Sequence, residues 1–196
     1  MMTPGTILLH DNLTPDGRSL LFSAPREVLV AHTAAEARAA LMRIAEAGND
    51  GLWAAGYLAY ELGYIFEERL EVLLPERSKT PLLWFGLYDT PQRLGPDRVQ
   101  QILAEAPDGR AIAVRPVPDF ADYEKPFDQV KALIAAGDSY QVNLTFKATF
   151  ALEGHPVGLY RRLAQSQPCA YGAYLDAGDH QVLSRSPELF ISSVED

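Results

Sequence analysis

Three side chains in this sequence have chemistry suited to binding and converting a small polar molecule: Gln141, Asn143 and Glu188. The first two lie in GDSYQVNLTFKATF, residues 137–150, which alternates as a strand does. One face of that strand is apolar, and the other carries amides and hydroxyls with a single charge. Neutral amides can bind a ligand without adding charge, so we expect Gln141 and Asn143 to face a cavity. The alternative is a polar row packed under a loop.

Glu188 lies in LSRSPELF, where Pro187 stiffens a turn just before an apolar run. A carboxylate beside Leu189, Phe190 and Ile191 would be partly desolvated, which suits it to proton transfer. The alternative is an exposed turn glutamate. We expect the amide row and Glu188 to line opposite walls of one cavity shaped for a small dicarboxylate.

Three amphipathic helices are predicted to position these residues. The first begins with a capping box at Thr33 and Glu36 and ends at Gly48. The second, in residues 122–138, has Asp122 as its N-cap and Pro126 in its first turn, and it ends at Gly137. The third spans residues 155–168. Its inward-facing residues are predicted to be Val157, Tyr160 and Leu163.

Strands are predicted at residues 20–22, 28–31, 51–64 and 78–91, and two more are joined by a tight turn at 176–179. Residues 93–120 are punctuated by Gly and Pro, and we interpret them as an exposed connection that contains one short strand or helix. A boundary there gives an N-terminal subdomain, residues 1–115, and a second region, residues 116–196. Helices mixed with antiparallel hairpins indicate an α+β fold.

Composition excludes several kinds of protein. A net charge of −9, with no long basic cluster, argues against nucleic-acid binding. The single cysteine, Cys169, excludes an internal disulfide, and no secretory leader or membrane span is predicted; we therefore expect a cytoplasmic protein. The four histidines are scattered, which disfavours a metal site, and Cys169 is interpreted as a core residue. P-loop, G-x-S-x-G, G-x-G-x-x-G and H-E-x-x-H motifs are absent.

Together, the segment G-D-x-Y-Q-V-N-L at residues 137–144 and S-P-E-x-F at residues 186–190 resemble the chorismate-utilising enzymes. Residues 20–23, 55–64, 81–89 and 170–174 resemble further parts of that family, in the expected order. The aminodeoxychorismate synthase component I branch is the most similar, because Asn143 is less common in anthranilate synthases.

The resemblance implies antiparallel sheets packed with helices as a β/α/α/β sandwich, incomplete at its C-terminus. It also implies amination of chorismate at its 4-position, with Mg²⁺, by ammonia from a glutamine amidotransferase subunit. Glu188 would be the acid/base, and Gln141 and Asn143 would form the pocket wall. A tryptophan-like effector would bind the residues Ser23, Ala170, Tyr171 and Gly172.

The family's lysine nucleophile and its magnesium-binding glutamates are expected beyond residue 196, so this chain alone is expected to be inactive. Apolar strands and a sheet edge should then be exposed, either in an excerpt of a longer protein or for pairing with a second polypeptide or copy. Two alternatives remain: anthranilate synthase component I, and a non-catalytic module that binds a tryptophan-like ligand.

Overall fold

A computed structural model describes residues 2–193. It contains ten strands: β1 (Ile7–His10), β2 (Ser19–Phe22), β3 (Glu27–Ala31), β4 (Trp53–Leu58), β5 (Leu83–Tyr88), β6 (Gln92–Leu94), β7 (Gly109–Val117), β8 (Lys147–Gly154), β9 (Tyr171–Asp176) and β10 (Gln181–Ser186). Its helices are α1 (Ala34–Asn49), a 3₁₀ helix (Tyr60–Phe66), α2 (Glu68–Glu71), α3 (Pro96–Ala104), α4 (Phe120–Ala136) and α5 (Pro156–Ser166). The expected α+β class is confirmed.

All strand pairs are antiparallel, and they form three sheets. Sheet A has the order β10-β9-β1-β2-β6, sheet B has the order β3-β5-β4, and β7 pairs only with β8. The expected boundary at residues 115/116 falls inside β7, while β9 and β10 complete the sheet that contains β1 and β2. The two-domain division remains a prediction.

The pleat of β1 shows how the layers are arranged. Ile7 packs with Phe22 of sheet A and with Trp84 and Tyr88 of sheet B, so the two sheets face each other. Leu8 points the other way, into a cluster built from α3 and α5. A third cluster packs α1 and the 3₁₀ helix on the far side of sheet B. The described order is therefore helix, sheet, sheet, helix, which differs from the expected β/α/α/β order.

The capping box of α1 is confirmed: Thr33 Oγ1 accepts from the amide of Glu36 at 3.2 Å, and the Glu36 carboxylate accepts from the amide of Thr33 at 3.1 Å. The prediction that Gly48 ends this helix is wrong. The helix continues to Asn49, and Gly51 takes the left-handed conformation with φ of +74°. A glycine three residues later satisfies the same need for positive φ.

Residues 93–120 contain more than the one short strand or helix that was expected, together with Gln92, which begins β6. They form β6, α3, β7 and the start of α4, and the α3 residues Val99 and Leu103 are buried in the cluster beneath sheet A. Their spacing of four residues was the helical signal. The predicted hairpin at residues 176–179 and the predicted third helix are confirmed, and Val157 and Tyr160 are buried as expected. The prediction that Leu163 faces inward is wrong, because its side chain is exposed.

Residues 109–154, here called the arm, comprise β7, α4 and β8. No residue of α4 is buried and every residue of β8 is exposed. The N-cap of α4 is Asp119 rather than Asp122, so Pro126 lies inside the helix instead of in its first turn, while Gly137 ends it as predicted. The predicted strand over residues 137–150 is wrong in its first part, because β8 begins only at Lys147.

Candidate functional site

The segment predicted to bind an effector lines a cavity on the face of sheet A that carries Leu9 and Leu20. This space, here called the sheet cavity, has a volume of about 340 Å³. Its lining residues are Leu9, His10, Asp11, Arg18, Leu20, Ala170, Tyr171, Gly172 and Ala173. Three of the four residues predicted for the effector site therefore lie together.

Ser23, the fourth predicted effector residue, is exposed and follows the opposite end of β2. Leu9 pairs with Leu20 at the cavity, whereas Ile7 pairs with Phe22, next to Ser23. Ser23 is three residue steps of extended chain beyond Leu20, or roughly 10 Å away. Ser23 does not line the sheet cavity, although sheet A carries both.

Arg185 pairs across the sheet with Gly172 and lies three residues before Glu188 in the chain. Its guanidinium donates to Tyr160 Oη at 3.1 Å, to Asn12 Oδ1 at 2.6 Å and to the carbonyl of Gln167 at 2.9 Å. A Cβ on Gly172 would lie 2.2 Å from Arg185 Nη1, so a side chain at that position would displace the guanidinium. Gly172 thus has a packing role beside its predicted effector role.

Glu188 lies two residues beyond β10 and is exposed. Its amide donates to Ser186 Oγ at 3.3 Å, and that hydroxyl donates to the carbonyl of Glu188 at 2.9 Å. This local turn fixes the backbone of Glu188. Leu189, Phe190 and Ile191 are exposed as well. The expected desolvation of the carboxylate therefore does not come from these three neighbours.

Gln141 and Asn143 are exposed in the segment between α4 and β8, where the backbone forms neither helix nor strand. Ser139 Oγ donates to the carbonyl of Gln141 at 3.0 Å, a local contact. Their alternation along a strand, on which the predicted amide row rested, is thus not present. The pairing of these amides with Glu188 across one cavity stays a prediction.

His10, Asp11 and Arg18 of the sheet cavity were not predicted from the sequence. The pKa of His10 is lowered to about 4, first by burial and then by the Arg185 guanidinium, while Asp11 opposes the shift. Burial acts to raise the pKa of Asp11, but hydrogen bonds from Thr14 and Leu13 outweigh it and hold that pKa below its ordinary value. One signal was available in the sequence: His10 ends an otherwise apolar strand and lies on the same face of it as the buried Leu8, two residues earlier.

The described residues include no group of three or more His, Cys, Asp or Glu side chains placed to hold a metal ion. These residues therefore do not form a site for the Mg²⁺ that the family resemblance implies. Across residues 2–193, no helix has both the length and the apolar character that a membrane crossing requires.

Comparison with known proteins agrees with this fold. A family model described as chorismate binding enzyme matches residues 11–195, which include sheet B, every strand of sheet A except β1, the arm and the Glu188 turn. The chain belongs to the chorismate binding enzyme family. The expected family assignment is thereby confirmed.

Relatives within the chorismate binding enzymes fall in two groups. Aminodeoxychorismate synthase component 1 of Bacillus subtilis is 37% identical over 70 residues, 36% of this chain and 15% of its own length. Aminodeoxychorismate synthase of Streptomyces griseus is 41% identical over 69 residues, 35% of this chain and 10% of its own length. Anthranilate synthase component 1 of Pseudomonas aeruginosa is 36% identical over 138 residues, 70% of this chain and 24% of its own length. The chain thus matches about a quarter or less of each relative's length.

Proposed function

We propose that this chain is part of an aminodeoxychorismate synthase component 1, which converts chorismate and ammonia to 4-amino-4-deoxychorismate for 4-aminobenzoate and folate synthesis. The observation that carries the proposal is the Q-V-N-L segment containing Asn143, which resembles that branch, within a chain of the chorismate binding enzyme family. Similarity to several aminodeoxychorismate synthases supports it.

In this proposal Glu188 is the acid/base group, and Gln141 and Asn143 form part of the wall around chorismate. All three are exposed here, so the enclosed site that proton transfer needs must be completed by further residues. The apolar residues Leu189, Phe190 and Ile191 beside Glu188 are exposed too and would supply part of that enclosure once covered. Mg²⁺ and a glutamine amidotransferase subunit belong to the proposed whole enzyme.

The test is an assay of the whole enzyme containing this chain, with chorismate, ammonium and Mg²⁺ as substrates and cofactor. We expect aminodeoxychorismate as the product and a loss in kcat of about 10²–10⁴-fold for Glu188→Gln. Glu46→Gln, at an exposed position of α1, is the matched control and should retain full activity. Full activity in Glu188→Gln would remove Glu188 from the proposed chemistry, and the 196-residue chain alone is expected to form no product.

A second candidate is anthranilate synthase component 1, because the match to the Pseudomonas aeruginosa enzyme extends over 70% of this chain. The same assay separates the two, since anthranilate is a fluorescent aromatic product and aminodeoxychorismate is not aromatic. Formation of anthranilate as the main product would replace the first proposal with the second.

We propose further that the sheet cavity binds a tryptophan-like amino acid. Asp11 and Arg18 offer opposite charges for the ammonium and carboxylate groups, and Tyr171 offers an aromatic face. Titrating tryptophan into the 196-residue chain should raise its Tm, and Asp11→Asn should abolish the rise. A rise without any response to chorismate would favour the third candidate, a non-catalytic module. No rise would remove the effector site.

A further inference from the structure

A second cavity lies on the opposite face of sheet A, between that sheet and the helices α3 and α5. This helix cavity has a volume of about 310 Å³, at the small end of the range for ligand pockets. Its lining residues are His10, Asp11, Asn12, Pro96, Gln100, Leu103, Ala104, Arg161, Ala164 and Gln165. Apolar residues of the two helices thus form much of one wall, and polar groups form the rest.

The side chain of His10 points into the helix cavity. His10 has the same parity on β1 as Leu8, which packs against α3 and α5, and His10 Nδ1 lies 3.2 Å from Tyr160 Oη on α5. His10 is 7% exposed, and its Nε2 atom has no hydrogen-bond partner among the described residues. Among the described residues, every fully buried side-chain nitrogen or oxygen has a hydrogen-bond partner. Because Nε2 has none, this atom is not fully buried and is accessible to a small molecule.

The hydrogen-bond chain behind His10 fixes which ring nitrogen carries the proton. Arg185 donates to Tyr160 Oη and cannot accept, so the hydroxyl proton of the fully buried Tyr160 has only His10 Nδ1 as its acceptor. Burial raises the pKa of Tyr160 to about 12 and lowers that of His10 to about 4. At neutral pH the imidazole is therefore uncharged, with Nδ1 as acceptor and Nε2–H as a donor toward the cavity.

The other charges around the helix cavity select against an anion. The pKa of Asp11 is held below its ordinary value, so its carboxylate is charged, and Arg161 is already paired with Asp108. A neutral N–H donor beside a carboxylate favours a ligand that is itself uncharged and presents an oxygen acceptor. Leu103, Ala104 and Ala164 leave room for a small apolar body, such as one ring.

We propose that the helix cavity is a binding site for a small, uncharged ring compound with a carbonyl or hydroxyl oxygen, which accepts a hydrogen bond from His10 Nε2. This site lies on the other side of sheet A from the sheet cavity. His10 and Asp11 border both cavities, whereas residues of α3 and α5 line only the helix cavity. The proposal is independent of the reaction that the whole enzyme catalyses.

The test is an NMR titration of the 196-residue chain with three probes of similar size. Benzamide is uncharged and carries an acceptor, toluene has no acceptor, and benzoate is an anion. We expect saturable shifts of the side-chain amides of Gln100 and Gln165 with benzamide, and a Kd at least about 10-fold lower than for toluene or benzoate. In His10→Phe, which keeps a ring but no donor, benzamide and toluene should bind equally.

Ala104→Phe fills the cavity from an exposed position of α3 and tests the site even if His10→Phe fails to fold. It should weaken benzamide binding by about 10-fold or more, whereas Ala45→Phe, at an exposed position of α1, should not change it. Three results would each overturn the proposal: no saturation at about 20 mM benzamide, equal affinity for toluene in the unmodified chain, or unchanged binding in Ala104→Phe.

Discussion

Sheets A and B with the helices packed on them, here called the body, carry apolar patterns similar to those of the arm. The two regions differ in what their apolar residues contact. In the body, alternate residues of β1 and β9 are buried between the sheets or beneath α3 and α5. In the arm, the helical stripe of α4 and the apolar residues of β8 are exposed, among them Phe127, Ile134, Phe150 and Leu152. The family match nevertheless includes both regions.

This difference shows that amphipathic periodicity predicts an element and its apolar face but not the surface that covers that face. α4 has 17 residues, a left-handed glycine cap and an Asp119 N-cap, so its local signals are complete. It makes few contacts with other elements, whereas β7 and β8 pair with each other and touch α5. Helices of about this length are marginal in water without packing, so the arm should be the least stable region.

The largest expected difference is in amide hydrogen exchange of the 196-residue chain. Amides of β1 and β9 should exchange only through global unfolding, which slows them by about 10³-fold or more. Amides of α4 should be slowed by only about 10-fold, because that helix opens locally. Exchange measured by NMR or mass spectrometry checks this. Equal protection in α4 and β1 would mean that the arm is packed in solution.

Truncation of one apolar side chain in each region gives the next largest effect. Leu83→Ala, at a fully buried position of sheet B, should cost about 2–5 kcal/mol in the free energy of unfolding. Phe127→Ala, at a residue 43% exposed in the arm, should cost less than about 1 kcal/mol. Urea unfolding followed by tryptophan fluorescence reports on the body, since both tryptophans lie in β4 and β5. Similar losses of unfolding free energy in Leu83→Ala and Phe127→Ala would contradict the difference in packing between the body and the arm.

Acid should weaken the body through His10, whereas the arm contains no histidine. The folded pKa of His10 is about 4, below its unfolded value of 6.5, so the unfolded chain binds more protons between these values. Stability should therefore fall as pH drops from about 6.5 to about 4, by up to about 1.4 kcal/mol per pH unit. Urea unfolding at several pH values measures this, and His10→Phe should flatten the slope between pH 6.5 and 5. An unchanged slope would show that His10 is not its source.

Much of the body was predictable because its signals are local. The capping box at Thr33, the hairpin turn at residues 176–179 and the apolar strand β5 each depend on neighbouring residues. The position of α3 was missed because Gly95 and Pro96 read as loop residues, although Pro is favoured in the first turn of a helix. The packing of sheet A face to face against sheet B depends on contacts between residues far apart in sequence, and hydrophobic periodicity does not specify these contacts.

The candidate site was predicted less completely, for physical reasons. Ala170, Tyr171 and Gly172 line one cavity together, as residues adjacent in sequence can, and their effector role stays a prediction. Asp11 and Arg18 join them only through the pairing of β1 with β9 and β2. Gln141 and Asn143 were assigned to a strand on alternation alone, and in this region no neighbouring strand pairs with them. The sheet that would impose that alternation is absent around residues 141–146.

Substitution of glycines at or near the ends of helices should give the smallest changes in stability. These changes should still differ between the body and the arm. Gly51→Ala should destabilise the body by about 1 kcal/mol, because its φ of +74° strains any residue with a Cβ. Gly48→Ala, inside α1 with open space around it, should instead stabilise by about 0.5–1 kcal/mol.

Gly137→Ala, with φ of +84° at the end of α4, imposes the same strain in the arm. If α4 opens locally before the body unfolds, this strain is relieved early and the urea midpoint from tryptophan fluorescence should hardly move. The helical signal of α4 should fall instead, as measured by hydrogen exchange. A shift as large as that of Gly51→Ala would mean that the arm and the body unfold as one unit.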